Sequence, residues 1–522
     1  MFIQNRRYKI ANFIISHKLD YLILFLIVFG LFLWLQASPT FVNSDSFYHA
    51  KMAELMQSDL VLDSFPWLQA TNFEQSFADS NWLYHVLLVP FVDVFNIFLV
   101  IKFINVLLAS LLITLLYFWL KRNKGKWPLF FVVLLLTALP LVIKISFFEP
   151  TALVLIFYLI GLDLMIHYRY WGLLIASIVF ALLSGFFIIL PIIAIVWIII
   201  DLFYLQHRMD YFKSKWGGAK EVVLNKLGFH SNRQGKKWLI LISTVVGVLI
   251  GSIIHPYWPN NLIIYYQTLF SNLVHNAVGL NLLLINIGAI TICVLLTLAI
   301  IIIRSRKASK LTILFSIITL LFLLLAIASY YYLEFFIISL IILLSLLWRD
   351  LLHDLSWYDI WHKTIKDNQV YRLTMLVVIG IFVVISFNNI IIFKSTTKEY
   401  PRLTHLQGAA EWLRYHTPDD SLVVSDQWQD WASLFYYNDN NTYFLGKDQN
   451  YIDIKHAQTA EEYFDLMSGK TTINSYLILR DRIKADYLLI SKGNLKFQDY
   501  ISQNIYFELV YDDLEAWVYN IQ

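Results

Sequence analysis

Apolar residues along this chain come in runs long enough to cross a bilayer, separated by polar segments whose charge changes sign from one to the next. A stretch of about 20 apolar residues spans the hydrocarbon, and by that measure the sequence predicts roughly eleven spans. The first covers 21–35 and the second 100–120; the others run near 127–145, 150–167, 171–184, 186–204, 238–254, 281–303, 311–328, 333–348 and 372–393. Between the first two lies 82–98, which is apolar but interrupted by Pro90, Asp93 and Asn96. Counting it as a span would carry Lys121, Arg122, Lys124 and Lys126 to the outer side. It therefore reads as a helix lying in the outer interface, with its proline at a bend.

Loops that stay in the cytoplasm collect Lys and Arg. On that rule Arg169, the basic stretch 208–237, the cluster Arg304, Arg306, Lys307 and Lys310, and the segment 349–372 are cytoplasmic. The loop 37–81 holds six acids against one base, Lys51, and the connections 146–149, 255–280 and 329–334 hold no Lys or Arg, so all four are outer. The first run follows Arg6, Arg7, Lys9 and Lys18. It stays bulky up to Gln36-Ala37-Ser38 and many spans follow, which reads as an uncleaved anchor with a cytoplasmic N-terminus. An odd number of spans leaves the C-terminus outside. Residues 1–394 thus form the membrane domain. From Ser395 the periodicity shortens: Ala409 to His416 is helix-like, and Ser421 to Ser425, Tyr487 to Ser491, Phe507 to Tyr511 and Ala516 to Ile521 are strand-like. Residues 395–522 are expected to form an extracytoplasmic α/β or α+β module.

Composition narrows the class. With 58% hydrophobic residues and a mean hydropathy of +0.61, the chain is too apolar for a soluble globule. A net charge of +3 gives no reason to expect nucleic acid as a partner. The single cysteine, Cys293, excludes an internal disulfide framework, a thiolate metal cluster and a Cys-x-x-Cys redox pair. There is no phosphate-cradling Gly-rich loop, His-Glu-x-x-His or Gly-x-Ser-x-Gly. Richness in Ile, Leu, Lys and Asn points to an AT-rich bacterial genome, hence to an inner (plasma) membrane protein.

The residues able to do chemistry share one address. Ionisable side chains at span ends are expensive unless used, and those that stand out here all face the outer side. Asp45 opens a predicted helix just beyond the first span, with Ser44 or Asp45 as its cap, and four-residue spacing puts His49 on the same face. Later in that loop Asp79-Ser80-Asn81-Trp82-Leu83-Tyr84-His85 leads into the interfacial helix. Glu149 precedes Pro150 between two spans, where a glutamate also suits a helix start. His255-Pro256-Tyr257-Trp258-Pro259 is an aromatic, proline-rich outer turn. Glu334 follows three tyrosines and enters an apolar span, where a carboxylate normally faces a polar cavity. In the C-terminal module Trp428 and Asp430 join an indole face to a carboxylate, a mixture that suits carbohydrate. Asp430 equally suits a helix cap.

The Asp45 to His49 run at the head of the first outer loop, together with Asp79 to Pro90, resembles the GT-C superfamily of membrane glycosyltransferases, which includes oligosaccharyltransferases and protein O-mannosyltransferases. The resemblance extends loosely over the whole chain. It implies a polytopic helical fold, a helix at the outer surface over 82–98, a donor carried on polyprenyl phosphate, and Asp45 as the catalytic carboxylate. In the superfamily the connection that holds Glu149 commonly carries two acids that bind a metal or the acceptor; here there is one. A divalent cation, Mg2+ or Mn2+, with Asp45 and Glu149 as candidate ligands, is an open expectation. His255 to Asn261 resembles an Asn-Pro-Tyr-Gly turn with His in place of Asn. Ser425 to Trp431 partly resembles the Trp-Trp-Asp-Tyr-Gly acceptor motif, and the region of Glu334 contacts the lipid phosphate in relatives.

An outer-face site is cut off from cytosolic nucleotide sugars, which favours the same lipid-linked donor. The expected reaction moves a sugar, with inversion, to a hydroxyl of a glycan, lipid or protein acceptor. Asp45 acts as general base or orients the acceptor, with His49 and Glu149 beside it. Asp79, His85, His255, Tyr257, Glu334, Trp428 and Asp430 are the candidate substrate-binding residues, and membrane lipids are the surrounding partner. Two other readings stay open: an oligosaccharyltransferase acting on asparagine, and a non-catalytic or transport protein for lipid-linked glycans. The missing second acid weighs against the first. Against the second, transporters more often show repeats and mid-membrane charges.

Overall fold

The computed structural model describes residues 18–41, 43–74, 76–147, 149–215, 232–267, 289–303, 307–354, 368–447, 451–470 and 475–522. The N-terminal arginines, part of the basic stretch 208–237 and the start of the expected span 281–303 lie outside them. In chain order the helices are α1 (Leu19–Leu35), α2 (Asp45–Leu55), α3 (Trp82–Leu88), α4 (Ile97–Arg122), α5 (Pro128–Leu135), α6 (Leu139–Ser146), α7 (Thr151–Ile166) and α8 (Tyr170–Leu183). They continue as α9 (Ile189–Lys215), α10 (Asn232–Ile254), α11 (Asn261–Tyr266), α12 (Ala289–Ile303), α13 (Lys310–Ala328), α14 (Leu333–Leu351) and α15 (Gln369–Glu399). Among the described residues six helices, α4, α9, α10, α13, α14 and α15, are long and apolar enough to cross a membrane, and α5 with α6 makes a seventh if the pair is one span. The apolar helices α1, α7, α8 and α12 are shorter.

Four of the long helices, α4, α9, α10 and α13, bury one stripe and leave the rest exposed. On α4 the residues Val106, Ala109, Ile113, Leu116 and Leu120, at alternating steps of three and four, are buried, while Leu99, Phe103, Leu111 and Phe118 are exposed. α14 is the central helix, with 83% of its apolar window buried, and α15 the peripheral one, at 6%. α8 and α10 approach most closely where glycines face small residues. A Cβ on Gly247 would fall 2.6 Å from Leu174 O, and one on Gly251 2.7 Å from Ile178 O. Only glycine admits that approach, which is the small-residue packing by which helices associate in lipid.

Two expectations need correction. The stretch 127–145 is not a straight span: α5 ends at Leu135, α6 starts at Leu139, and the two are bent by 75°. Pro140 stands in the first turn of α6, where its missing N–H is tolerated but could not serve a helix running on from α5, and Ala138 ahead of it leaves helical geometry. The apolar stretch 82–98 is likewise divided. α3 gives way to a tight turn, Val89–Phe91, around Pro90, and α4 starts already at Ile97, capped by Asn96.

Ion pairs tie helix ends together at one end of the bundle. Lys121 pairs with Asp20 at 2.6 Å, Arg122 with Asp163 at 2.8 Å, Asp201 with both Lys237 and Lys310, and Asp350 accepts from Ser309 N at 2.7 Å. These are the ends assigned to the cytoplasm from the sequence. At the other end the loop after α1 meets the C-terminal part of the chain, which contains α16 (Gln407–His416), β1 (Leu422–Ser425), α17 (Trp431–Tyr437), β2 (Thr442–Tyr443), α18 (Ala457–Met467), β3 (Tyr487–Ser491), α19 (Leu495–Ser502), β4 (Phe507–Asp512) and β5 (Ala516–Ile521). The strands form one mixed sheet in the order β2-β1-β3-β5-β4, parallel on either side of β1 and antiparallel on either side of β5. The outer loop extends this sheet: Tyr443 N donates to Trp67 O at 2.8 Å, and Gln69 N donates back to Tyr443 O at 3.1 Å. Phe65, Phe73 and Phe77 of the loop share one buried cluster with Trp431 and Phe435 of α17. The loop and the sheet therefore hold each other.

Candidate active site

The turn into α2 is made by Asn43. Its side-chain oxygen accepts from Asp45 N at 2.9 Å, and its amide donates to Glu149 Oε1 at 2.5 Å. Neither expected cap serves: the Ser44 side chain makes no capping bond, and Asp45 is the first helical residue. Asn43 thus starts the helix and ties it to the connection between α6 and α7. Buried aromatic contacts seat α2 on the C-terminal part, with Phe47 6.0 Å from Tyr436 and Tyr48 5.8 Å from Trp431, centroid to centroid.

Asp45, His49, Glu149 and Glu334, which the sequence places in three separate outer segments, line one cavity of about 170 Å³. Lys144 and Lys447 line it too. Lys144, on the second turn of α6, is buried with its ammonium 3.9 Å from Glu334 Oε1 and 4.8 Å from the ring centroids of both Tyr330 and Tyr331. The Lys447 ammonium stands 3.8 Å from the Tyr48 ring. Three carboxylates and two ammonium groups therefore face a small space walled partly by tyrosines. Desolvation raises the Glu149 pKa, against the opposing pull of Lys144. Glu334 Oε2 is buried without a hydrogen-bond partner among the described residues, an acceptor open to a substrate hydroxyl.

Asp79 and His85 do not line the cavity; they stand behind His49. His85 Nε2 lies 2.6 Å from His49 Nδ1, and His85 Nδ1 lies 2.5 Å from Asp79 Oδ2. Asp79 Oδ1 accepts from Asn81 N at 2.9 Å, an Asx turn that leads into α3. Burial would raise the Asp79 pKa, but His85 beside it holds the carboxyl below its ordinary value. Burial, followed by the neighbouring His85 and Lys447, pushes His49 well below the usual histidine range.

His255 and Tyr257 lie beside this arrangement rather than on the cavity wall. His255 packs near Trp82 and Tyr265, at 6.1 and 6.0 Å between centroids; its Nε2 is buried without a partner among the described residues, and burial pushes its pKa down to about 4. The Tyr257 hydroxyl accepts from Leu62 N at 3.0 Å and so pins the outer loop. Trp428 and Asp430 are also away from the cavity. Trp428 packs within the sheet's own core. Asp430 Oδ1 is 3.1 Å from His405 Nε2, and its side chain makes no helix cap. The residue of that segment nearest the site is Trp431, through Tyr48.

Asp45 and Glu149 share the cavity, but among the described residues no group of three His, Cys, Asp or Glu is placed to hold a metal. Lys144 already puts positive charge in the field of both carboxylates. The sequence did carry a signal for Lys144, a lone lysine at the outer end of a span on a side otherwise poor in Lys and Arg. Lys447 and Asn43 carried none, since polar loop residues are the rule.

No family model matches the sequence, and no curated protein is similar to it. Solved structures do share its architecture. The crystal structure of ArnT from Cupriavidus metallidurans in the apo state aligns at TM-score 0.51 and 15% identity over 96% of this chain and 98% of that one. The arabinofuranosyltransferase AftD from Mycobacteria aligns at TM-score 0.53 and 13% identity over 96% of this chain and 40% of that one. Both are GT-C glycosyltransferases, and the chain, an integral membrane protein, has the GT-C fold.

Proposed function

We propose that the protein transfers a sugar, with inversion, from a polyprenyl-phosphate donor in the outer leaflet to an acceptor hydroxyl. The observation that carries this reading is the convergence of Asp45, His49, Glu149 and Glu334 with Lys144 and Lys447 on one cavity of a GT-C fold. Carboxylates and tyrosines suit sugar hydroxyls, and ammonium groups suit a phosphate leaving group. Asp45 serves as general base or as the carboxylate that orients the acceptor. The acceptor oxygen bonds to the anomeric carbon, the bond from that carbon to the phosphate oxygen breaks, and the new phosphate charge meets Lys144 and Lys447. No step needs a divalent ion, so transfer should survive chelation by EDTA.

In this reading the four shorter apolar helices cross the membrane with the seven longer units, making eleven crossings, and the sheet-bearing segment 395–522 is extracytoplasmic. The test is transfer from a labelled polyprenyl-phosphate sugar by the purified protein. Asp45→Asn should lower the rate by roughly a thousandfold while the thermal unfolding curve stays in place. Full activity in that variant would remove Asp45 from the mechanism.

A further inference from the structure

We infer that Asp79, His85 and His49 form a proton relay that leads out of the cavity, with His49 Nε2 as the atom that takes the acceptor's proton. The inference deepens the sugar-transfer reading and rests on it. It assigns Asp45 the orienting duty, one helical turn ahead of the base on α2.

The geometry fixes the tautomers in sequence. Asp79 and His85 are fully buried, so each of their polar atoms must be matched within the protein, whereas His49, 3% exposed, has its ring on the cavity wall. The Asp79 carboxylate can only accept, so His85 Nδ1, 2.5 Å away, carries a proton. In neutral His85 the Nε2 atom is then bare and accepts. His49 Nδ1, 2.6 Å away, must be the donor. That leaves the Nε2 lone pair of neutral His49 as its remaining group, on a ring that lines the cavity. Ring contacts hold the imidazoles in this pose: Tyr84 stands edge-on to His49 at 5.4 Å and Tyr48 edge-on to His85 at 5.7 Å. A pair of histidines serving only to join α2 to α3 would have no need of a buried carboxylate behind them, since burying a charge is costly unless it is matched.

The step balances. As the acceptor oxygen bonds to the anomeric carbon, its O–H bond breaks and an N–H bond forms at His49 Nε2. The His49 Nδ1 proton passes to His85 Nε2, so the positive charge comes to rest on His85 beside Asp79. The electron pair of the broken sugar–phosphate bond leaves with the phosphate; as the relay resets, His85 Nε2 gives its proton back to His49 Nδ1 and His49 Nε2 gives its proton to water or to the departing phosphate in the cavity. His49 touches substrate and is the catalytic residue; His85 and Asp79 act through it as positioning residues. Among the described residues the other charged and titratable groups facing the relay are Lys447, Tyr48, Tyr84, Tyr257, Tyr265, His255 and Asp45.

Two measurements on the full-length protein in lipid nanodiscs test this. In 15N-histidine spectra, assigned with His49→Gln and His85→Gln, both rings should carry their proton on Nδ1 near pH 7, and Asp79→Asn should move the His85 proton to Nε2. A proton on His49 Nε2 in the native protein overturns the relay, and this readout needs no activity. In the transfer assay, Asp79→Asn should lower kcat by roughly a hundredfold with the donor KM within about twofold. Loss of the Asp79 charge disfavours the imidazolium, so the acid limb of the pH profile should move to lower pH, and Asp79→Glu should recover part of the rate. If Asp45→Asn is inactive but Asp79→Asn keeps the native kcat and pH profile, the relay fails and the site stands. If Asp45→Asn is fully active, the site reading fails, and the tautomers alone decide the relay.

Discussion

Lys144 and Glu334 show how a single residue couples stability to function here. The pair is buried, at 3.9 Å, between two tyrosines. Removing one partner leaves an uncompensated buried charge, which costs about 3–5 kcal/mol. Lys144→Met should therefore lower the unfolding temperature and cut transfer by roughly a hundredfold. Adding Glu334→Gln removes the orphaned charge, so the double variant should regain thermal stability without regaining transfer. Recovery of both would mean that Lys144 only balances Glu334. His255 makes a different demand. Burial takes it from 6.5 in the open chain to about 4 when folded, so the unfolded state binds the extra proton in that window and stability falls as pH drops from 6.5 toward 4. The full shift corresponds to about 3 kcal/mol. Thermal melts of His255→Asn at pH 7 and pH 4.5 should differ less than those of the native protein; an unchanged difference would show that His255 is not the source. These residues also mark the limit of what the sequence reveals. Asp45, Glu149 and Glu334 stand out because a carboxylate at the end of an apolar run has few other reasons to be there. The link from His85 to His49 spans 36 residues, which no local period exposes.

At the scale of elements, the strands Tyr487–Ser491, Phe507–Asp512 and Ala516–Ile521 and the helix Gln407–His416 lie where the periodicity predicts them. β3 is buried along nearly its whole length, and the helix turns Ala409, Ala410 and Leu413 into the core that the sheet shares with the loop after α1. β2 was invisible, because its two residues are strand only through their pairing with β1 and with the outer loop. The break at Pro140 was on the page as a residue, but the unbroken apolar run around it hid the bend. The contact of α8 with α10 was not legible either, since a glycine in an apolar span does not say which helix it faces. That contact yields a prediction with an internal control. A side chain on Gly251 would drive into Ile178 O, 2.7 Å from its Cβ position, whereas a Cβ on Gly380 would meet nothing within 4 Å among the described residues beyond its own helix. Gly251→Leu should lower the yield of folded protein and the unfolding temperature by several degrees, and Gly380→Leu should leave both in place. Equal behaviour of the two in a detergent thermal-shift series would mean that the glycine contact does not hold the helices.

For the whole molecule, what matters is that its two ends differ in chemistry. One end is laced by lysines and arginines paired with Asp20, Asp163 and Asp201, and the other carries the acid-rich loop, the cavity and the sheet. The proposed orientation, with the basic end in the cytoplasm, follows the rule that cytoplasmic loops collect Lys and Arg. The sheet end cannot be reversed independently of the cavity, because the outer loop is hydrogen-bonded into β2 and packed on α17. Orientation and chemistry therefore stand or fall together. The one native cysteine, Cys293, is buried, so its replacement by serine gives a silent background for labelling. On that background Leu514→Cys, at a position 96% exposed in the sheet-bearing segment, should react with a membrane-impermeant maleimide added to intact cells. Lys124→Cys, at the basic end of α4, should react only after lysis. The opposite pattern would put the cavity in reach of cytosolic nucleotide sugars and out of reach of a donor in the outer leaflet, and the proposed reaction would have to be abandoned with the orientation.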